Sequence, residues 1–290
     1  MAYNRRDFLQ TAGLLSSGLV LTGISSKLAG CKTVSNAITG KPAEAFGLQL
    51  YTLRDVLPQD PKGILRQVAQ FGYKEIESYE GAQGMFWGMT NKEFDRYLTD
   101  LGMKLVSSHC DIKKDFEKKA DEAAAIGMKY LICPYLGPNK SLDFYKKAAD
   151  TFNACGAICA QRGLKFAYHN HDYSFKPVEG QFPQDVMMQA TDKDTVVYEM
   201  DIYWVVVAGQ IPGEWFQKYP NRFRLCHVKD KKGGESSTLG TGDIAFSAIL
   251  KTGTQYGLQH YIVEQEAYAG TTPINAVQDN ATYMKNLKFL

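Results

Sequence analysis

From residue 46 onward, short apolar runs alternate with longer stretches in which apolar residues recur at helical spacing. One phrase keeps returning: a glycine, an apolar residue, a Lys or Gln, then an apolar run. It is read in Gly72-Tyr73-Lys74-Glu75-Ile76, Gly102-Met103-Lys104-Leu105-Val106 and Gly127-Met128-Lys129-Tyr130-Leu131-Ile132. It returns in Gly163-Leu164-Lys165-Phe166-Ala167 and in Gly257-Leu258-Gln259-His260-Tyr261-Ile262-Val263. The glycine suits a helix C-cap, and the uninterrupted apolar run suits a strand buried on both faces. Runs at 46–51, 195–200 and 223–227 bring the expected strands to eight. Helical periodicity is expected at 61–71, 92–101, 114–126, 142–162 and 273–287. Eight rounds of strand and helix over about 245 residues predict an α/β fold, a (β/α)8 TIM barrel forming a single domain over 46–290. A doubly wound open sheet is the alternative, but it usually has a glycine-rich turn after its first strand. Leu50-Tyr51-Thr52-Leu53-Arg54-Asp55 contains none.

The first thirty residues have another pattern. Arg5-Arg6-Asp7-Phe8-Leu9 precedes an apolar run, 14–24, that is too short and too rich in Gly and Ser to be a permanent membrane span. The stretch resembles a twin-arginine export signal. Leu28-Ala29-Gly30-Cys31 resembles a lipoprotein cleavage box with Cys31 as the lipidated residue, and 31–45 then reads as a flexible tether. The expected location is periplasmic, with a lipid anchor on Cys31 as the only membrane contact. The twin-arginine route carries folded proteins, which suits an enzyme loaded with its metal before export.

Composition adds mainly exclusions. At 290 residues, 44% hydrophobic and 22% charged, the chain is neither disordered nor collagen-like. The first thirty residues carry three basic side chains (Arg5, Arg6, Lys27) and one acidic (Asp7), which leaves 30 of each from totals of 33 and 31. A balanced body has no electrostatic footprint for nucleic acid. The six cysteines, at 31, 110, 133, 155, 159 and 226, follow no framework spacing and are expected to be buried apolar residues.

Chemistry in such a barrel collects at the C-terminal strand ends. Those ends carry Gln49 and Tyr51, Glu77, His109, His169 with His171, Asp201, His227 with Lys229, and Glu264. Four of the five histidines fall there, and the exception, His260, reads as an ordinary strand-start residue. Alternation puts Ala167, His169 and His171 on one face, and likewise Leu225, His227 and Lys229. Taken singly, an inward histidine is a hydrogen-bonded core residue and a lone Asp a helix cap. Converging from adjacent strands, they predict a mixed nitrogen and oxygen site for one divalent ion, Mn²⁺, Co²⁺, Fe²⁺ or Zn²⁺.

The runs Tyr168-His169-Asn170-His171-Asp172-Tyr173-Ser174-Phe175 and Glu199-Met200-Asp201-Ile202-Tyr203-Trp204 resemble the sugar phosphate isomerase/epimerase group of the xylose-isomerase-like barrels. His227-Val228-Lys229-Asp230, Gly240-Thr241-Gly242-Asp243-Ile244-Ala245-Phe246 and Ile262-Val263-Glu264-Gln265-Glu266 continue the likeness, as do Gly47-Leu48-Gln49-Leu50-Tyr51 and Gly72 to Glu77. The resemblance implies metal ligation by His169, Asp201, His227 and Glu264. His169 stands where the group has a glutamate, and His171 is an alternative ligand. Related epimerases use two metal-bound glutamates as opposed acid and base, so this exchange puts a direct carry-over of two-base chemistry in doubt.

The resulting expectation is a metal-dependent isomerase or epimerase acting on a carbohydrate through a metal-stabilised enediolate. Glu264 would be the base, Glu77 or His109 its proton partner, and Lys229 would steady an enolate oxygen. Gln49, Tyr51, His171 and Trp204 are candidate substrate contacts. The alternatives are a metal-dependent lyase or dehydratase on a keto-sugar or keto-glycoside, and a non-catalytic sugar-binding protein. No phosphate loop is present, although Gly240-Thr241-Gly242 could offer backbone amides.

Overall fold

The computed structural model describes residues 41–290; the twin-arginine run, Cys31 and most of the expected tether lie outside the described residues. The order begins β1 (Gly47–Gln49), α1 (Pro61–Phe71), β2 (Glu75–Tyr79), α2 (Asn91–Asp100), β3 (Lys104–His109), α3 (Phe116–Ala124), β4 (Tyr130–Cys133), α4 (Leu142–Ala160) and β5 (Lys165–His169). It continues with α5 (Pro183–Ala190), β6 (Val196–Asp201), α6 (Ile202–Val207), α7 (Pro212–Lys218), β7 (Phe223–Val228), β8 (Asp230–Lys232), β9 (Glu235–Ser237), α8 (Phe246–Gln255), β10 (His260–Val263) and α9 (Pro273–Asn286). Eight parallel strands close into a barrel in the order β1-β10-β7-β6-β5-β4-β3-β2, while β8 and β9 form a separate antiparallel hairpin. The fold is the expected TIM barrel.

Local sequence explains the joints. Gly72 and Gly257 take φ of 102° and 100°, a left-handed cap that a side chain resists, and Gly102, Gly127 and Gly163 do the same. Across four of these turns the next amide reaches back into the helix, as Met103 N donates to Leu98 O, Met128 N to Ala123 O, Leu164 N to Cys159 O and Leu258 N to Gly253 O. Thr90 and Glu93 close a reciprocal capping box at the start of α2. The apolar faces of the helices bury Leu65, Val68, Phe94, Leu98, Phe152, Phe216 and Leu250 against the outside of the barrel. Inside it, Val106, Tyr130, Ile132, Ala167, Val197 and Leu225 form a separate apolar floor. The five described cysteines are free and buried.

Three features depart from the expected strands. The first strand stops at Gln49 instead of 51, because the Gln49 side chain accepts from Tyr51 N and starts a 3-10 turn over Leu50–Leu53. The sixth strand runs one residue further, through Asp201, whose carboxylate then caps α6 by accepting from Trp204 N. The β8–β9 hairpin has no counterpart among the expected elements. It is pinned by Asp230, which accepts from the amides of Gly240, Gly242 and Ile244 at 2.9, 3.0 and 3.2 Å. The amides of Gly240-Thr241-Gly242 that could have met a phosphate are thereby spent within the fold.

Candidate metal centre and active site

Register determines which side chains reach the barrel mouth. Along β5, β6 and β7, Ala167, Val197 and Leu225 lie in the floor, and the next residues on the same face are His169, Glu199 and His227. Two residues further come His171, Asp201 and Lys229. The pairing slips by one residue at Ile76/Glu77 and at Tyr198/Glu199, irregularities of the kind that re-aim side chains near active sites.

Asp201, His227 and Glu264 bring three donor atoms within 4.8 Å of one another. His227 Nδ1 lies 3.1 Å from Glu264 Oε2 and 3.8 Å from Asp201 Oδ2, and His169 Nε2 lies 3.9 Å from the same Asp201 oxygen. Donors bound at about 2.1 Å around one ion sit roughly 3.0–3.4 Å apart, so a small contraction would fit a divalent cation. The remaining imidazole nitrogens also fit that role. His227 Nε2 meets Glu77 Oε1 at 2.8 Å, and His169 Nδ1 meets Glu199 Oε2 at 3.2 Å. A carboxylate on the far nitrogen fixes a ligating histidine's ring and tautomer.

The carboxylates beneath are themselves held. Gln49 donates to Glu77 Oε1 at 2.7 Å and Ser107 to Oε2 at 2.6 Å. His109 Nε2 lies 2.8 Å from Glu199 and 3.2 Å from Glu77. Burial alone would lower the His109 pKa, yet these two carboxylates push it up to about 9. Burial and the neighbouring Glu77 charge push Glu199 up to about 7, while the His109 and His227 imidazoles hold Glu77 well below the usual carboxylate range despite its burial. Burial, with His227 and His109 nearby, drives His169 well below its ordinary value and keeps it neutral, as a ligand must be.

Lys229 is buried among carboxylates. Its ammonium lies 3.4 Å from Asp201 Oδ2 and 3.1 Å from Glu264 Oε2, and it donates a short bond to Glu266. Against the cost of burial, Asp201 and Glu264 raise its pKa, so it remains charged. Lys229 and His227 in turn hold buried Glu264 well below the carboxylate range. Such a carboxylate is a good ligand and a weak base. Glu266, further out, is pushed up by burial, as a better proton acceptor would be.

A cavity of about 390 Å³ opens above this network, lined by His109, His169, His171, Glu264, Glu266 and Tyr51 among others. His171 turns away from the acidic network: its ring stacks on Tyr173 at 5.5 Å, edges Tyr135 at 5.1 Å, and leaves Nδ1 buried without a partner. Trp204 lies beside His171 at 5.3 Å, under the Lys229 ammonium, and its Nε1 also lacks a partner. Tyr51, 40% exposed, stands at the rim against Tyr79. Gln49 and Glu77 are fully buried, which puts them beneath the cavity instead of in contact with it. Their side chains brace His227. His260 pairs with Glu75 at 2.9 Å at the far end of β10.

Glu199 and Glu266 belong to this site and were not among the expected residues. A signal for Glu199 existed, since it shares a strand face with Asp201 two residues on. Glu266 lies past the end of β10, where alternation no longer predicts direction.

A family model described as "Xylose isomerase-like TIM barrel" matches residues 65–290. The chain belongs to this family. Its solved relatives include a sugar phosphate isomerase/epimerase from Parabacteroides distasonis, 29% identical, covering 87% of this chain and 96% of that one with a TM-score of 0.75. The IOLI protein, solved with a bound zinc atom, shares the fold at 16% identity and a TM-score of 0.68, covering 84% of this chain and 99% of that one. Among curated proteins, the inosose dehydratase of Clostridium perfringens is 26% identical over 156 residues, 47% of this chain and 48% of its own length. The chain thus spans about half the length of the curated relatives it matches.

Proposed function

We propose that this xylose isomerase-like barrel is a divalent-metal-dependent isomerase or epimerase that moves a proton next to the carbonyl of an unphosphorylated carbohydrate. The observation that carries the proposal is the convergence of Asp201, His227 and Glu264, with His169 Nε2 3.9 Å from Asp201, under a cavity walled by proton-transfer groups. The bound cation would supply an electrophile for negative charge developing on a substrate oxygen. His109, three strands from β10 around the barrel and protonated at neutral pH, can give a proton from one wall. Glu266, and Glu264 when its ion pair loosens, can accept one from the other. Tyr51 and Tyr135 offer aromatic faces to a sugar ring.

The acidic lining argues for an unphosphorylated substrate. Glu80, Asp111, Glu264 and Glu266 face the cavity. The nearby cations are already engaged, Lys229 as above and Lys119 with Glu80 at 2.7 Å. No unpaired lysine or arginine among the lining residues is left to pair with a phosphate.

A second reading, dehydration of a keto-sugar or inosose, has its own support. The curated relatives are named inosose dehydratases, and elimination needs only one base. One experiment tests both readings. Chelator-stripped and metal-reconstituted protein is incubated in D2O with a panel of keto-sugars, an inosose and keto-glycosides, followed by mass spectrometry and ultraviolet absorbance. Metal-dependent deuterium exchange without loss of water supports the isomerase reading. An absorbing, dehydrated product supports the lyase. Failure of the metal to bind, or binding without exchange or elimination, would defeat both and leave a binding protein. We further propose that residues 1–30 direct export and that Cys31 carries the anchor, which cell fractionation of the Cys31→Ala chain would test.

A further inference from the structure

Beside the acidic cavity lies a larger one of about 630 Å³, framed by the segments that follow β3 and β4 and by α4. The two share Cys110, Asp111, Pro134 and Tyr135 in their linings, so they adjoin along one wall. Tyr135 forms the edge between them. Its ring, 56% exposed, stands edge-on to His171 of the first cavity at 5.1 Å. The backbone just beyond it is pinned, because Tyr173 Oη accepts from the amides of Leu136 and Gly137 at 3.0 and 3.2 Å.

The two cavities differ in chemistry. The first is acidic, and the lysines near it are engaged by carboxylates. The second is walled by Ile112, Leu136, Phe144 and Ala148, with Lys113 and Lys147 also in its lining. A third lysine, Lys140, stands over the Phe144 ring at 5.3 Å. Among the described residues these three lysines have no ion-pair partner. Asp111, the carboxylate of the shared wall, accepts from Lys113 N at 2.9 Å, and Asp143, at the start of α4, is taken by Lys146 at 3.3 Å. Apolar walls with a few charged groups are the usual make-up of a small-molecule pocket. An occupant that satisfies this one has a flat apolar body and a negative charge. Inorganic phosphate would meet the lysines but leave the apolar walls unused.

We propose that the second cavity seats an aromatic carboxylate joined to the sugar. The substrate is then a keto-glycoside with its sugar above Asp201, His227 and Glu264 and its acidic aryl group past Tyr135, toward Lys113 and Lys147. This inference rests on the carbohydrate reading above and names the class of derivative that the site takes.

The test is calorimetric titration of the metal-reconstituted, full-length chain with 4-carboxyphenyl β-D-glucoside and with phenyl β-D-glucoside. Neither probe carries a ketone, so binding is read without turnover. The carboxylate should bind about 10-fold more tightly, the expected yield of two exposed ion pairs. Combining Lys113→Ser and Lys147→Ser should bring the two probes level, while Asp201→Asn should leave their ratio unchanged. Equal affinities in the unmodified protein, a preference that survives loss of both lysines, or no binding of either probe overturns the seat. Displacement of the carboxyphenyl glucoside by an equal concentration of inorganic phosphate overturns the aromatic occupant. Failure on any of these counts leaves metal-dependent exchange on keto-sugars standing. A chain that shows the preference but no exchange keeps the seat and loses the enzyme reading.

Discussion

The floor and the mouth of this barrel share β5, β6 and β7 and differ completely in character. Ala167, Val197 and Leu225 pack into a dry plug, and two residues along the same pleat His169, Glu199 and His227 form a buried ionic network. One step of alternation, about 6.6 Å, separates the two. The floor stabilises by burial and is indifferent to which apolar groups fill it, provided the volume is right. The mouth depends on each group having its named partner, because an unpaired charge in so dry a place is costly. The closed sheet lets one region supply stability while the other holds groups whose isolated burial would oppose folding.

With metal bound, substitutions in the mouth should lower activity first and those in the floor stability first. The largest effect is expected from Glu264→Gln, which removes a proposed metal donor and a partner of Lys229. Turnover should fall about 10³-fold or more, with metal content reduced and the fold retained by circular dichroism. A fully active Glu264→Gln protein would break the contrast between mouth and floor. Leu225→Ala should do the reverse, costing on the order of 3 kcal/mol in denaturant unfolding while metal content stays unchanged.

Next is pH in the metal-stripped chain. His109 is raised from 6.5 to about 9, so its contribution is fully present below about 6.5 and is lost as pH rises through about 9. It amounts to roughly 3 kcal/mol at about 1.4 kcal/mol per pH unit. Unfolding of stripped protein should show this alkaline loss and His109→Gln a smaller one, since the carboxylates around His227 raise that imidazole too; equal profiles would show that the His109 imidazole is not charged there. The smallest effect belongs to Gln49→Ala, which removes a donor to Glu77 and the acceptor of Tyr51 N. A loss of about 10-fold in metal affinity, without change in the substrates accepted, is expected of a residue that positions a ligand through its carboxylate partner.

Much of this could be read from one chain. The glycine caps and apolar runs recur so regularly that strand count and closure followed from local chemistry, and strand-end position singled out Asp201, His227, Lys229 and Glu264. The readings of Gln49 and Glu77 were incomplete for a definite reason. Being at a strand end indicates that a side chain points inward, but not how deep it sits, and the slip at Ile76/Glu77 puts Glu77 level with Ser107 beneath the cavity. Glu199 was visible by parity but outranked by its neighbour Asp201, which occupies the position matched to known ligands. Glu266 was passed over because it lies three residues past Val263, the end of β10, whereas Glu264 follows it directly.

The sequence by itself determined the alternation of elements, the barrel they form, and the set of ionisable groups gathered at one end of it, since these depend on local periodicity and on a pleat that repeats every second residue. Only the tertiary structure decided which nitrogen of each imidazole faces which carboxylate, that Lys229 is enclosed by three acids, and that Glu199 keeps one oxygen without a partner. Those outcomes depend on register shifts and packing depth between strands far apart in the chain. A displacement of one residue there exchanges one partner for another while leaving every local pattern intact.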